Sequence, residues 1–487
     1  MKSDMILIGK GENKIGIHPK YANRHGFIAG ATGTGKTVTL QCLAEGFSSL
    51  GVPVFLADVK GDLSGMANAG TDNAVVQKRC AEIGIECFEF TPFPVEFWDL
   101  FGLKGAKIRA TLEDMGPLLL SRLLDCNDVQ EGLINLAFEY AEENQMPMLD
   151  LDDFSTALNY LGDNSKQLGG MYGRISKSSI AAIERRLLGF KRQGGSEFFG
   201  EPALDYHDFM KTAADGRGIV NILDASTLIQ SPKLYSTFLL WLLSELYENL
   251  PEVGDLDKPK FVFFFDEAHL LFDDVPKVFL DEIEQVVRLI RSKGVGIYFI
   301  TQNPTDIPDS VLGQLGNRIQ HALRAYTPKE RKAVKVAAES FRDNPNLDVE
   351  TLLGELGVGE ALVSVLGKGG VPSVVEHVTI RPPESQIGPI STEKRTEMLN
   401  TSQYYQQYKQ AVNRESAHEM LNKRMEQQKQ AQLQQAQQAQ QAEQEKQDRA
   451  SIRKPRRSQR QTYTESFIKT LLRQLANAIV KALFKRR

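Results

Sequence analysis

Residues Gly26 to Thr37 read G-F-I-A-G-A-T-G-T-G-K-T, and few stretches restrict a fold as tightly. The apolar run Phe27-Ile28-Ala29 predicts a buried strand. Gly30, Gly33 and Gly35 predict a tight loop, and Val38 to Ser48 a helix. Strand, G-x-x-x-x-G-K-[ST] and helix, in that order, form a phosphate-binding P-loop. Glycine-rich backbone lets successive N–H groups converge on phosphate oxygens, and the helix N-terminus adds partial positive charge. The cradle runs from Gly30 through Ala31, Thr32, Gly33, Thr34, Gly35, Lys36 and Thr37 to Val38. Lys36 is placed to reach the β- and γ-phosphates of ATP, and Thr37 to offer its hydroxyl to Mg2+. The bland alternative is a glycine-rich turn that binds nothing. Residue frequencies alone give the pattern at roughly 2 in 100 odds, before the flanking strand and helix are counted.

A second stretch fits the first. Phe261-Val262-Phe263-Phe264-Phe265-Asp266-Glu267 is an apolar strand that delivers two acids to its end. Asp266 is expected to hold the Mg2+, and Glu267 to polarise an attacking water. Four apolar residues before Asp-Glu say little alone, and an ordinary strand ending in an acidic turn reads the same. Beside a P-loop, 230 positions upstream at Lys36, they say much more. Gln302, ending the strand Tyr298-Phe299-Ile300-Thr301, is a polar group suited to sensing the γ-phosphate. Phosphoryl transfer also recruits arginines, often from a neighbouring subunit. Arg288, Arg291, Arg318 and Arg324 are candidates, each with a surface ion pair as the plainer reading.

Strand signals at Met5–Ile8, Val52–Ala57, Ile85–Phe90, Gly218–Leu223, Lys260–Phe265, Ile297–Ile300 and Arg318–Ala325 alternate with helical ones. That alternation indicates an α/β fold with a mainly parallel sheet, whose ligand sits at the carboxyl ends of the strands. Residues 1–104 and 216–390 form the two parts of this core. The first part opens with a hairpin leading into the P-loop strand. Within the second, residues 328–385 read as a short α+β tail. Residues 105–215 recur at helical spacing and read as an insertion. Its basic groups, Arg174 with Lys177 and Arg185, Arg186, Lys191 and Arg192, suit either a solvated helix face or phosphate-backbone contact. From Ser391 to Lys454 there is neither Gly nor Pro, and twelve of the 21 residues from Gln427 to Gln447 are Gln. Such a segment predicts a solvated helix or a disordered linker. Residues 455–487 close with a basic amphipathic helix carrying Ile468, Leu471, Leu472, Leu475, Ile479 and Leu483. Packing on itself or a protein partner, a membrane surface and DNA all fit such a helix.

Charge is uneven. The last 37 residues carry +10, and the rest of the chain −14, so the tail calls for an anionic partner. No run of 18 apolar residues exists to span a bilayer, and no leader pattern opens the chain. Cys42, Cys80, Cys87 and Cys126 lack paired spacing, which argues against a zinc site or disulfide framework and for a reducing cytoplasm.

Three motifs together, G-A-T-G-T-G-K-T, F-F-F-D-E-A-H and R-S-K-G-V-G-I-Y-F-I-T-Q-N-P, resemble the HerA-like branch of the HerA/FtsK superfamily of P-loop ATPases. The likeness covers roughly residues 5–100 and 218–385, and the opening I-G-K…N-R-H-G-F-I-A-G shares in it. It implies a RecA-like ATPase core assembled as a hexameric ring around DNA. By position, Lys36 and Thr37 match the family's phosphate and magnesium residues, Asp266 and Glu267 its acidic pair, and Gln302 its sensor. Arg291, six residues before Ile297, falls at its arginine finger, and Asp58 and Asp62 in its acidic loop. The resemblance does not extend to the family's N-terminal β-barrel, since about 25 residues precede the P-loop strand, nor to the helical insertion and Gln-rich tail. Two functions are therefore expected to compete. One is an ATP-hydrolysing DNA translocase or helicase. The other is an ATP-switched assembly or scaffold protein that docks through its tail.

Overall fold

The computed structural model describes residues 5–272, 277–325, 327–452 and 468–474. Two compact units are present, Met1–Leu421 and Asn422–Arg487.

The first unit is built on one twelve-stranded sheet. Its strands are β1 (Ile6–Lys10), β2 (Lys14–Ile17), β3 (Gly26–Ala29), β4 (Val54–Asp58), β5 (Val95–Asp99) and β6 (Ala106–Lys107). They continue as β7 (Val220–Asp224), β8 (Phe261–Phe265), β9 (Val295–Thr301), β10 (Asn317–Gln320), β11 (Glu360–Ser364) and β12 (Glu376–Ile380). The spatial order is β2-β1-β12-β11-β10-β3-β9-β8-β4-β7-β5-β6. From β10 to β6 every pairing is parallel, and from β10 outward to β2 every pairing is antiparallel. This is an α/β, RecA-like arrangement with an antiparallel edge.

The central strands are apolar throughout because both faces are covered. On one face Leu56, Phe264 and Ile300 share a cluster with Leu40, Leu43, Ala44 and Phe47 of the helix Lys36–Ser49. On the other, the alternate residues Phe263, Phe265 and Phe299 stack ring on ring, 5.5 and 5.7 Å between centroids. The P-loop helix is also latched to the segment after β12. Glu45, fully buried, accepts from Arg381 Nη2 (3.0 Å), Ser385 Oγ (2.6 Å) and the backbone N–H groups of Glu384 (3.0 Å) and Ser385 (2.9 Å).

The structure changes some expectations and keeps others. Ile85–Phe90 forms no strand; Val95–Asp99 takes that place beside β7. Cys87 is exposed, Phe88 and Phe90 are only half-buried and pack edge-on against each other, and the ladder opens only past Pro94, whose carbonyl accepts from Val220 N–H (2.8 Å). The N-terminal hairpin forms as expected, at the far sheet edge against β12. Residues 328–385 are α+β as expected, and their two strands extend the main sheet. Finally, residues 391–421 are not linker. The helices Thr392–Thr401 and Gln403–Lys409 dock on the core, with Tyr404 and Tyr408 buried 5.4 and 5.9 Å from the Trp98 ring.

Residues 105–215 are helical as expected, with Leu112–Leu123, Asp128–Glu143, Leu151–Asp163, Ser165–Tyr172 and Lys177–Phe190. A long helix, Ala417–Ile452, carries the Gln-rich run, and residues 422–447 on it are largely exposed. Of the basic amphipathic helix only residues 468–474 are described, and they are helical and exposed. The cluster Arg453-Lys454-Pro455-Arg456-Arg457 lies outside the described residues.

Candidate active site

β3 ends at Ala29 and the chain turns sharply at Gly30, at φ +151°. A Cβ at Gly30 would sit 2.5 Å from the Cβ of His321, so only glycine permits this approach. Lys36, the first residue of the helix, folds back across the loop. Its Nζ donates to the carbonyls of Gly30 (2.5 Å) and Ala31 (3.1 Å). The side chain is buried, and desolvation, then the Lys60 charge, hold its pKa below the usual lysine range. Glu267 and Asp266 act against that lowering. Thr32 and Gly33 lie exposed at the loop tip, and Thr37 stands in the first helical turn, whose N–H groups have no partner within the helix. A buried ammonium resting on carbonyls, at a helix N-terminus with free donors, is a site that fits a polyphosphate.

β8 delivers Asp266 and Glu267 to the same sheet edge. Both are buried. Burial pushes the Asp266 carboxyl up to about 6, helped by the Glu267 charge, while Lys60 and Lys36 draw it down. One Asp266 oxygen already accepts from Glu267 N–H at 3.0 Å. A buried carboxyl beside a hydroxyl-bearing P-loop fits a divalent cation, whose charge offsets the desolvation. Among the described residues no three His, Cys, Asp or Glu side chains gather into a metal cluster.

Glu267 holds a left-handed backbone, φ 50° and ψ 49°. Its Oε1 lies 2.9 Å from Lys60 Nζ. Its Oε2 accepts from Gln302 Nε2 at 3.3 Å and lies 3.5 Å from His269 Nδ1. Burial alone would raise this carboxyl, but Lys60, joined by Gln302 and His269, outweighs it and keeps the group below the usual carboxylate range. Gln302 arrives because β9 pairs with β8, Phe299 opposite Phe265, and ends beside Glu267. Asp58, at the end of β4, braces the next loop by accepting from Gly61 N–H (2.7 Å) and Leu63 N–H (3.0 Å), and burial raises it to about 7. Asp62 is half-buried at the start of the turn Asp62–Ala67.

The structure thus brings Lys36, Asp266, Glu267 and Gln302 together. It sends Arg291 elsewhere. That residue precedes β9 and is exposed, whereas Gln302 follows it. Seven strand residues separate the two by roughly 23 Å. Arg291 cannot touch the phosphate site of its own chain. Arg288 is exposed near the same edge. Arg318 is spent on three carbonyls, those of Ser340 (2.6 Å), Leu312 (3.0 Å) and Leu315 (3.1 Å). Arg324 is exposed past β10. In the insertion, Lys177 pairs with Asp163, Lys191 with Asp152 and Arg186 with Asp125, so much of the basic patch is neutralised at home.

Sequence reading missed two residues. Lys60 was visible only as a loop lysine. His321 lies just past β10 and is fully buried. A carbonyl can only accept, so its Nδ1 donates to Glu360 O (2.8 Å), and its Nε2 accepts from the Thr39 hydroxyl (2.9 Å). Burial, with Lys36 nearby, holds its pKa down to about 4. The unfolded chain protonates near the ordinary 6.5, so stability falls as pH drops between those values. From about pH 7.5 to about pH 5 this residue alone should cost wild type about 2 kcal/mol. His321→Gln removes that slope. The gap between variant and wild type, read by urea unfolding, should narrow by that amount, and a constant gap would contradict a neutral buried imidazole.

Comparison with known proteins places the geometry. A family model described as helicase HerA-like C-terminal matches residues 4–486. The DNA double-strand break repair helicase HerA of Sulfolobus acidocaldarius is 22% identical over 73% of this chain and 65% of its own length. The protein of the same description from Saccharolobus solfataricus is 24% identical over 76% of this chain and 67% of its own. The chain therefore spans about two thirds of these curated relatives. Among solved structures, the bacterial conjugative coupling protein TrwBdeltaN70 in its trigonal form with sulphate shares the fold. It has a TM-score of 0.50 and 13% identity, over 80% of this chain and 92% of that one.

Proposed function

The chain belongs to the HerA-like C-terminal helicase family, and from that footing we propose that it is an ATPase that drives DNA translocation or unwinding as a homo-oligomeric ring, a hexamer on the family pattern. One observation carries the reading: Lys36 and the pair Asp266 and Glu267, distant in sequence, follow the carboxyl ends of β3 and β8, which run parallel with only β9 between them. The curated relatives are named as DNA repair helicases, which supports DNA as the substrate track.

Bound ATP supplies the phosphoanhydride to be cleaved, and Mg2+ the charge that neutralises it. Lys36 and the N–H groups of the Gly30–Val38 cradle bind the phosphates. Thr37 and Asp266 hold the cation. Glu267 takes the proton of the attacking water, and Gln302, bonded to Glu267, reports on the terminal phosphate. Arg291, exposed at the opposite sheet edge, serves the site of the adjacent subunit. The same proposal places the chain in the cytoplasm. Among the described residues no helix is long and apolar enough to cross a membrane.

The test is steady-state ATP hydrolysis with and without duplex or single-stranded DNA, with particle mass measured in ATP. DNA should stimulate turnover, the mass should be that of a ring, and Arg291→Ala subunits mixed into wild type should depress activity beyond simple dilution. Slow turnover indifferent to DNA would overturn the motor reading in favour of an ATP-switched scaffold.

A further inference from the structure

Lys60 lies outside the motifs that define the site, yet it engages the residue on which hydrolysis depends. The loop that carries it is fixed by Asp58, through Gly61 and Leu63. Lys60 keeps 40% of its side chain exposed while Glu267 keeps 7%, so the pair has a buried end and an end at the mouth. β8 lies between β4, which leads to Lys60, and β9, beyond which β3 leads to Lys36. The two ammonium groups thus approach the acids from opposite flanks, close enough to oppose each other's charge.

In this arrangement both Glu267 oxygens are occupied, one by Lys60 and the other by Gln302. A water must compete with both contacts for the lone pairs that remain. Drawing an ammonium off a carboxylate at the mouth of the cradle requires a stronger anion there, and a terminal phosphate is one. We propose that Lys60 is an exchange contact, which holds Glu267 while no triphosphate is bound and moves to the terminal phosphate when ATP is bound, releasing Glu267 Oε1. The inference rests on the ATP-hydrolysis reading above. It makes Lys60 the residue that tells a nucleoside triphosphate from a diphosphate, which lacks the group to draw it away.

The experiment is equilibrium binding of a fluorescent non-hydrolysable ATP analogue and of fluorescent ADP, with Mg2+, to wild type, Lys60→Met and Lys60→Arg. Lys60→Met should weaken the triphosphate analogue tenfold or more, as loss of a charge-assisted bond does, and ADP by less than about twofold. Lys60→Arg keeps the charge and should restore the preference for triphosphate. Equal loss for both nucleotides, or no loss for either, overturns the exchange. Failure of the underlying ATPase reading looks different, because wild type itself then binds neither nucleotide.

Discussion

Glu267→Gln binds ATP as wild type does and turns it over about a hundredfold to ten-thousandfold more slowly, the usual contribution of a positioned general base. The substitution keeps the shape of the side chain and removes only the charge. Glu267 stays ionised through its Lys60 partner, against the burial that would neutralise it. An amide cannot take the proton from water, however well it is placed. Binding is spared because the phosphate contacts come from Lys36, the loop backbone and, by the exchange proposed above, Lys60, none of which is altered. Measuring nucleotide affinity and turnover on one preparation separates the two. A fall in turnover of less than about tenfold would move the base elsewhere.

Lys36→Ala should lose nucleotide binding, by about a hundredfold or more in Kd. A charge-assisted hydrogen bond contributes about 1.5–3 kcal/mol, and the ammonium is placed to make more than one. A second loss adds to it. Lys36 ties the carbonyls of Gly30 and Ala31 together, so its removal also loosens the cradle. Lys36→Arg should rescue poorly, because a planar fork does not fit a position shaped for a compact charge. Fluorescent-nucleotide titration reads the effect, and unchanged affinity would remove the P-loop assignment.

How much of this was readable in the chain depended on how local the cause was. The P-loop and the strand to Asp266 are contiguous in sequence, and their chemistry follows from neighbours a few residues away. Gln302 was readable because a polar residue ending an apolar strand stands out. Lys60 and His321 were not, since their partners Glu267, Thr39 and Glu360 meet them only through sheet order. Strand order also decided against Ile85–Phe90, a stretch rich in strand-favouring residues with Glu86 and Glu89 between them, in favour of Val95–Asp99 beside β7. Tyr404 and Tyr408 were masked by polar neighbours, although three tyrosines, with Tyr405, among the glutamines of 403–410 were the available hint of docking. Arg291 is a separate case. The resemblance proposed its role, and the structure bars only action on its own site.

The most direct test of the account is titration calorimetry of wild-type protein with a non-hydrolysable ATP analogue, with and without Mg2+. If the glycine cradle and the acidic pair form one metal-assisted phosphate site, each chain takes up one nucleotide and the cation tightens it by tenfold or more, close to the worth of one charge-assisted contact. Uptake that ignores Mg2+, or no uptake at all, would contradict it.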